Sequence, residues 1–165
     1  MKRFLLFPLL ALVVSTLRAA PEYPKLGPDL YDVHADGVKL VDAALAEAKA
    51  THRRVLIDFG ANWCVWCRRL HHTFTTHEEI RRAIAKDYVL VLIDVNRRND
   101  PARNLAIAER YHNPMGDDRG IPVLVVTDAD GTPLTTQETG ALEDGKAGHD
   151  PAKILAFLDR WAPKG

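Results

Sequence analysis

The stretch Val55-Leu56-Ile57-Asp58-Phe59-Gly60-Ala61-Asn62-Trp63-Cys64-Val65-Trp66-Cys67 carries the signals from which the architecture can be built. Its first five residues are an apolar run interrupted only by Asp58, the pattern of a short buried strand. From Cys64 onward the period changes, and Cys67, Leu70 and Phe74 share one face of a helix over residues 64–75. Two cysteines three residues apart therefore stand where a strand gives way to a helix, a spacing that lets two thiols meet across one helical turn. At that position Cys64 faces unpaired backbone N–H groups and the positive end of the helix dipole, which favour a thiolate. Cys67, one turn inside, is expected to be more shielded and less acidic. The spacing separates an attacking sulfur from a resolving one.

Three other uses of the pair compete with a redox role. A static bridge closing so short a loop adds little chain-entropy stabilisation. Half of a zinc site, completed by His71, His72 or His77, is less economical, because the strand-to-helix turn already accounts for the pair and the histidines have a solvent-exposed reading. Attachment of a c-type haem requires histidine directly after the second cysteine, and Arg68 is there.

On either side of this stretch the chain alternates helices and strands. Asp36 is expected to cap a helix running to about Ala50, with Val38, Val41, Ala44, Leu45 and Ala48 at helical spacing. Thr76 followed by Glu79 is a capping-box pattern for a continuing or kinked helix through Ile84. Tyr88 to Val95 is nearly all apolar and predicts a strand covered on both faces. Asp100 and Pro101 open a helix through Leu105, Ala108 and Tyr111. Val123 to Thr127 is a buried strand, turned by Asp128, Ala129, Asp130 and Gly131 into a partner near Thr135. Asp150 and Pro151 open a last helix through Trp161. This order implies an α/β fold with a mostly parallel central sheet, an antiparallel C-terminal hairpin and helices on both faces.

Composition bounds the function. The 165 residues are 47% apolar and 27% charged, with 22 basic and 22 acidic side chains and two cysteines. A chain of this length typically buries roughly 70% of the surface it exposes when unfolded, so its core needs no metal or disulfide staple. The charge balance argues against nucleic acid as a partner. Two cysteines exclude a four-thiolate zinc or iron–sulfur site within one chain.

Residues 1–19 have the layout of a secretory signal peptide: Lys2 and Arg3, an apolar run from Phe4 to Val14, then Leu17, Arg18 and Ala19. The alternative is a hydrophobic N-terminal helix packed on the domain. Cleavage after Ala19 leaves a periplasmic or secreted chain without stable membrane insertion. It also removes three basic residues and no acid, so the remaining 146 residues carry 19 basic and 22 acidic side chains. Residues 20–35, with Pro21, Pro24, Gly27 and Pro28, read as an extended lead-in, and residues 36–165 as the folded domain.

The run Val55 to Phe59, the Trp63-Cys64-Val65-Trp66-Cys67 motif and the downstream Gly120-Ile121-Pro122 resemble the thioredoxin superfamily. Together with Phe74, Glu79, Ile93, Asp94 and Val95 they resemble its branch of DsbD-like periplasmic thiol:disulfide interchange domains and their free-standing relatives. The resemblance spans residues 36–161 and implies a thioredoxin-like fold and an exported thiol-disulfide oxidoreductase. It places Asp58 beneath Cys67 as the group that takes or returns its proton. Independently, a lone acid in an apolar strand is costly to ionise, so its pKa is expected to be raised. The competing reading is an aspartate at a strand end facing solvent.

The resemblance also makes Pro122 a cis proline opposite the cysteines, with Ile121 offering backbone groups to an extended substrate segment. The expected catalytic set is Cys64, Cys67 and Asp58; the expected substrate-binding set is Trp63, Val65, Trp66, Ile121 and Pro122. The implied partners are disulfide-containing proteins or peptides and a membrane-embedded thiol electron donor. No cofactor beyond a redox-active Cys64–Cys67 disulfide, and no metal, is expected. Two departures from the family stand out: Val65 and Trp66 replace its common Gly-Pro, and Gly60 stands where many members carry a bulky residue. The segment Asn113 to Arg119 reads as a solvated loop, and the arginines of residues 68–82 as solvated helix faces. The other readings of function are a polypeptide-binding, chaperone-like module and a disulfide oxidase or isomerase.

Overall fold

The computed structural model describes residues 27–96, 98, 100–116 and 120–164. The signal segment, residues 20–26 of the lead-in, and Asp117 to Arg119 lie outside the described residues. Helix α1 spans Gly37–Thr51, with the Asp36 carboxylate accepting from the Val38 and Lys39 N–H groups, and stops at His52 in the left-handed region. Strand β1 is Arg54–Gly60, helix α2 Val65–Thr76, helix α3 Glu78–Asp87 and strand β2 Tyr88–Asp94. Helix α4 is Leu105–Arg110, strand β3 Val123–Thr127, strand β4 Pro133–Glu138 and helix α5 Pro151–Arg160.

The sheet order is β2-β1-β3-β4. The α/β class, the helices on both faces and the C-terminal hairpin are as the sequence predicts. The strand directions differ from the mostly parallel expectation: β1 pairs with β2 in parallel, but β3 runs antiparallel to both β1 and β4. The length of α4 explains this. Six helical residues rise about 9 Å, against about 20 Å for a seven-residue strand, so α4 does not run back along the length of the sheet. Strand β3 therefore begins beside the end of β1, with Val123 opposite Phe59. The helix expected from Pro101 is shortened for a related reason. Asn104 adopts φ 51°, held there because its side chain accepts from the Gly37 N–H and donates to the Asp94 carbonyl.

The side-chain alternation of β1 sorts two cores. Val55, Ile57 and Phe59 face α1 and α4, packing with Val41, Ala48, Ile93 and Ile107. Leu56 faces the opposite layer, with Leu70 and Phe74 of α2, Ile80 of α3 and Ile154 and Leu158 of α5. The period of two then places Asp58 on the α2 side. Strand β2 is an edge strand, so Val89, Leu90 and Leu92 are half-buried rather than fully covered. The Thr76 capping box does not form. The Thr76 hydroxyl donates back to the His72 carbonyl as part of α2, and the chain breaks at extended His77 before α3 begins.

The described part of the lead-in is docked on the domain. Asn62 accepts from the Leu30 and Tyr31 N–H groups and donates to the Tyr31 carbonyl. Arg68, expected on a solvated face, instead donates to the Gly27, Pro28 and Asn62 carbonyls. Arg103 donates to the Asp32 and Ala35 carbonyls while pairing with buried Asp94 at 3.2 Å. Tyr31 is 1% exposed as a result.

Candidate active site

The end of β1 and the start of α2 bring Asp58, Cys64 and Cys67 into one buried cluster. Cys64 is the N-cap of α2, with extended φ and ψ, and its sulfur accepts the Cys67 N–H at 3.1 Å. Both cysteines are free thiols and both are buried. A hydrogen bond from the Cys67 thiol, followed by the Cys67 and Trp66 backbone N–H groups, holds the Cys64 pKa below its ordinary value against the opposing effect of burial. Burial, then donation to Cys64 and the nearby Asp58 charge, pushes the Cys67 thiol well up. The two thiols are thus shifted in opposite directions, Cys64 down chiefly because Cys67 donates to it and Cys67 up chiefly because it is buried.

Asp58 is 0% exposed. Burial raises its pKa to about 7, opposed by a hydrogen bond from the Tyr31 hydroxyl to Oδ2 at 3.0 Å. Oδ1 is buried without a hydrogen-bond partner among the described residues. Asp58 thus does not face solvent at a strand end.

The Ile121–Pro122 peptide bond is cis. The Cys64 thiol lies 3.4 Å from the Ile121 carbonyl oxygen, and the Thr139 hydroxyl donates to the Pro122 carbonyl at 2.8 Å. Val65 is exposed. Trp66 is half-buried, with Arg69 over its ring and the edge of His149 against it, so its surfaces are partly spent on packing. The Trp63 indole donates to Asn96 at 2.8 Å, and Arg98 covers its ring. Beside Val65, a groove of about 350 Å³ runs between α2 and residues 147–149, lined by Arg68, Arg69, His72 and Thr73. Among the described residues no cluster of three or more His, Cys, Asp or Glu side chains is arranged to hold a metal, and His71, His72 and His77 do not converge on the cysteines as such a site requires.

Sequence reasoning missed Tyr31, Asn62 and Thr139. The available signal for Tyr31 was Gly60: a Cβ added there would stand 2.2 Å from the Tyr31 hydroxyl oxygen and 3.0 Å from Cys67 Sγ. The space above Gly60 is filled from the lead-in, by the Tyr31 ring. Gly60→Ala is therefore expected to destabilise the fold by about 1–3 kcal/mol through overpacking. Pairing it with Tyr31→Ala recovers part of that loss in a double-mutant cycle followed by thermal unfolding.

A thiol pair at a helix N-terminus, above a buried acid and beside a cis proline, defines a dithiol protein of α/β architecture. The sequence model described as thioredoxin-like matches residues 38–130, and the chain belongs to the thioredoxin-like family. A disulphide isomerase from Xylella fastidiosa is 35% identical, with a TM-score of 0.66, over 79% of this chain and 95% of that one. The DsbD C-terminal domain of Neisseria meningitidis, in its oxidised form, shares the fold at 21% identity and a TM-score of 0.54, over 78% of this chain and 98% of that one. The thiol:disulfide interchange protein DsbD of Ralstonia nicotianae is 34% identical over 103 residues, 62% of this chain and 16% of that protein. The chain thus spans about a sixth of the length of that curated relative.

Proposed function

We propose that the chain is an exported protein thiol-disulfide oxidoreductase that reduces disulfides through Cys64 and Cys67. The observation that carries this reading is the unequal thiol pair: Cys64 made acidic at the start of α2, Cys67 held protonated one turn inside, next to buried Asp58. The Cys64 thiolate attacks one sulfur of a substrate disulfide, forming a mixed disulfide and releasing the other sulfur as a thiolate. Cys67 then gives its proton to the Asp58 carboxylate. Its sulfur attacks Cys64 Sγ, forming the Cys64–Cys67 disulfide and releasing the second substrate thiolate. The substrate takes up two electrons and the pair loses two. No cofactor takes part in these steps.

Ile121, beside cis Pro122, offers its main chain to an extended segment in this reading, and Val65, Trp63 and Trp66 supply apolar contacts. Such readout suits disulfide-containing proteins or peptides. The signal-like residues 1–19 and the DsbD relatives support a periplasmic or secreted location, and no described helix is long and apolar enough to cross a membrane. Sustained reduction in an oxidising compartment requires a supply of electrons, for which a membrane-embedded thiol donor is the fitting partner.

Similarity to the disulphide isomerase of Xylella fastidiosa favours isomerisation as the second reading. The reduction potential of the pair, measured by equilibration in thiol redox buffers, separates the two. A value near about −270 mV supports the reducing direction, and one near about −180 mV or higher overturns it in favour of isomerisation or oxidation.

A further inference from the structure

We propose that Tyr31, carried on the segment before α1, is a positioning residue for proton transfer from Cys67: its hydroxyl occupies Asp58 Oδ2 and reserves Oδ1 for the Cys67 proton. This rests on the exchange chemistry proposed above and adds a residue to it. Four observations support the assignment. The Tyr31 hydroxyl donates to Oδ2 at 3.0 Å in a buried setting, while Oδ1 has no hydrogen-bond partner among the described residues. A point 2.2 Å from that hydroxyl oxygen is only 3.0 Å from Cys67 Sγ, so tyrosine, acid and resolving thiol share one pocket. Gly60, having no Cβ, leaves that space to the Tyr31 hydroxyl. Finally, the Tyr31 backbone is clamped on both sides by the Asn62 amide, at 2.9 Å on its N–H and 2.8 Å on its carbonyl, and Arg68 ties down Pro28 at 3.0 Å.

The chemistry follows from what a phenol can do at this depth. Burial, and after it the nearby Asp58 and Cys67 charges, holds the Tyr31 pKa well above its ordinary value, so the ring keeps its proton and acts toward the carboxylate as a donor. The groups facing Asp58 are Tyr31 from the lead-in and Cys64 and Cys67 from α2; its partners on β2 and β3 are Leu92 and Leu124, which carry no charge. Tyr31 is thus the one of these groups that lowers the acid's pKa, and it keeps a fraction of Asp58 ionised near neutrality. During resolution the proton passes from Cys67 Sγ to Asp58 Oδ1, the Cys67–Cys64 bond forms as the substrate thiolate leaves, and Tyr31 retains its own proton throughout.

The test is Tyr31→Phe, which keeps the ring and removes the donor. The Asp58 carboxyl is titrated by NMR in the reduced full chain, and resolution of a preformed Cys64 mixed disulfide is timed across pH. A bond to a charged acceptor is worth at least about tenfold, so the Asp58 midpoint is expected to rise by about one pH unit from about 7, and the resolving rate at pH 7 to fall about fivefold as the ionised fraction drops. In an Asp58→Asn background the same substitution is expected to leave the pH profile unchanged. An unshifted Asp58 midpoint in Tyr31→Phe overturns the proposal, as does an equal change in pH profile with Asp58 already replaced. If the wild-type chain exchanges no disulfides, the functional reading falls instead, while the carboxyl titration still reports whether Tyr31 governs Asp58.

Discussion

Serine in place of Cys64 is expected to lower the rate of insulin disulfide reduction by at least about a thousandfold. The sulfur is the nucleophile only as a thiolate, and the α2 N-terminus stabilises that form through the Cys67 thiol and the Cys67 and Trp66 N–H groups. A serine hydroxyl at the same cap receives the same hydrogen bonds but stays protonated at any working pH, so the geometry survives and the chemistry is lost. The substitution therefore separates exchange from polypeptide holding. A chaperone-like module working through the main chain beside Pro122 would keep its client affinity and lose nothing that matters. Full reductase activity in Cys64→Ser contradicts the assignment.

Asparagine in place of Asp58 is expected to slow the resolving step by about a hundredfold at pH 7, in the range of general-base contributions, and to remove its pH dependence. In the wild-type chain the carboxyl must be ionised to take the Cys67 proton, so the rate climbs as pH rises through about 7. The same group makes stability depend on pH in the sense unusual for an aspartate. Its folded pKa lies above the unfolded value of 3.8, so the native state binds the proton more tightly. The stabilising contribution is complete below about pH 4 and is lost as pH rises to about 7, by at most about 4 kcal/mol over that interval. Urea unfolding of the reduced protein is expected to give a larger free energy at pH 5 than at pH 8, and Asp58→Asn to flatten that difference. A wild-type stability that rises over this window, or a mutant with the wild-type pH profile, contradicts the account of Asp58.

The parts of the site legible in the sequence are those fixed by local periodicity. The strand period puts Asp58 on the face opposite Val55, Ile57 and Phe59, and the helical period puts Cys67 in line with Leu70 and Phe74. The Cys64 cap follows from the boundary between them. What the sequence concealed depends on contacts between distant residues. Tyr31 lies in a Pro- and Gly-rich lead-in with no periodic pattern, and only Gly60, 29 positions later, hints that something must fill the space above it. Arg68 has the composition of a solvated helix face, yet its guanidinium is spent on carbonyls of that same lead-in. The direction of β3 was hidden because the pattern from Pro101 onward suggests a helix long enough for a parallel crossover. Asn104, bonded to Gly37 and Asp94, cuts that helix to six residues. Thr76 and Glu79 matched a capping box by spacing alone, and a bond to the His72 carbonyl used the hydroxyl first.

If the two sulfurs have different jobs, the covalent intermediate can be trapped on one of them alone. The Cys67→Ser chain is mixed with a disulfide-containing peptide, quenched with acid and analysed by mass spectrometry after proteolysis. A stable peptide adduct on Cys64 is predicted, accumulating to near one per chain because nothing resolves it, whereas Cys64→Ser forms little adduct on buried Cys67. Equal adduct formation by the two variants, or none by Cys67→Ser, would contradict this division of labour.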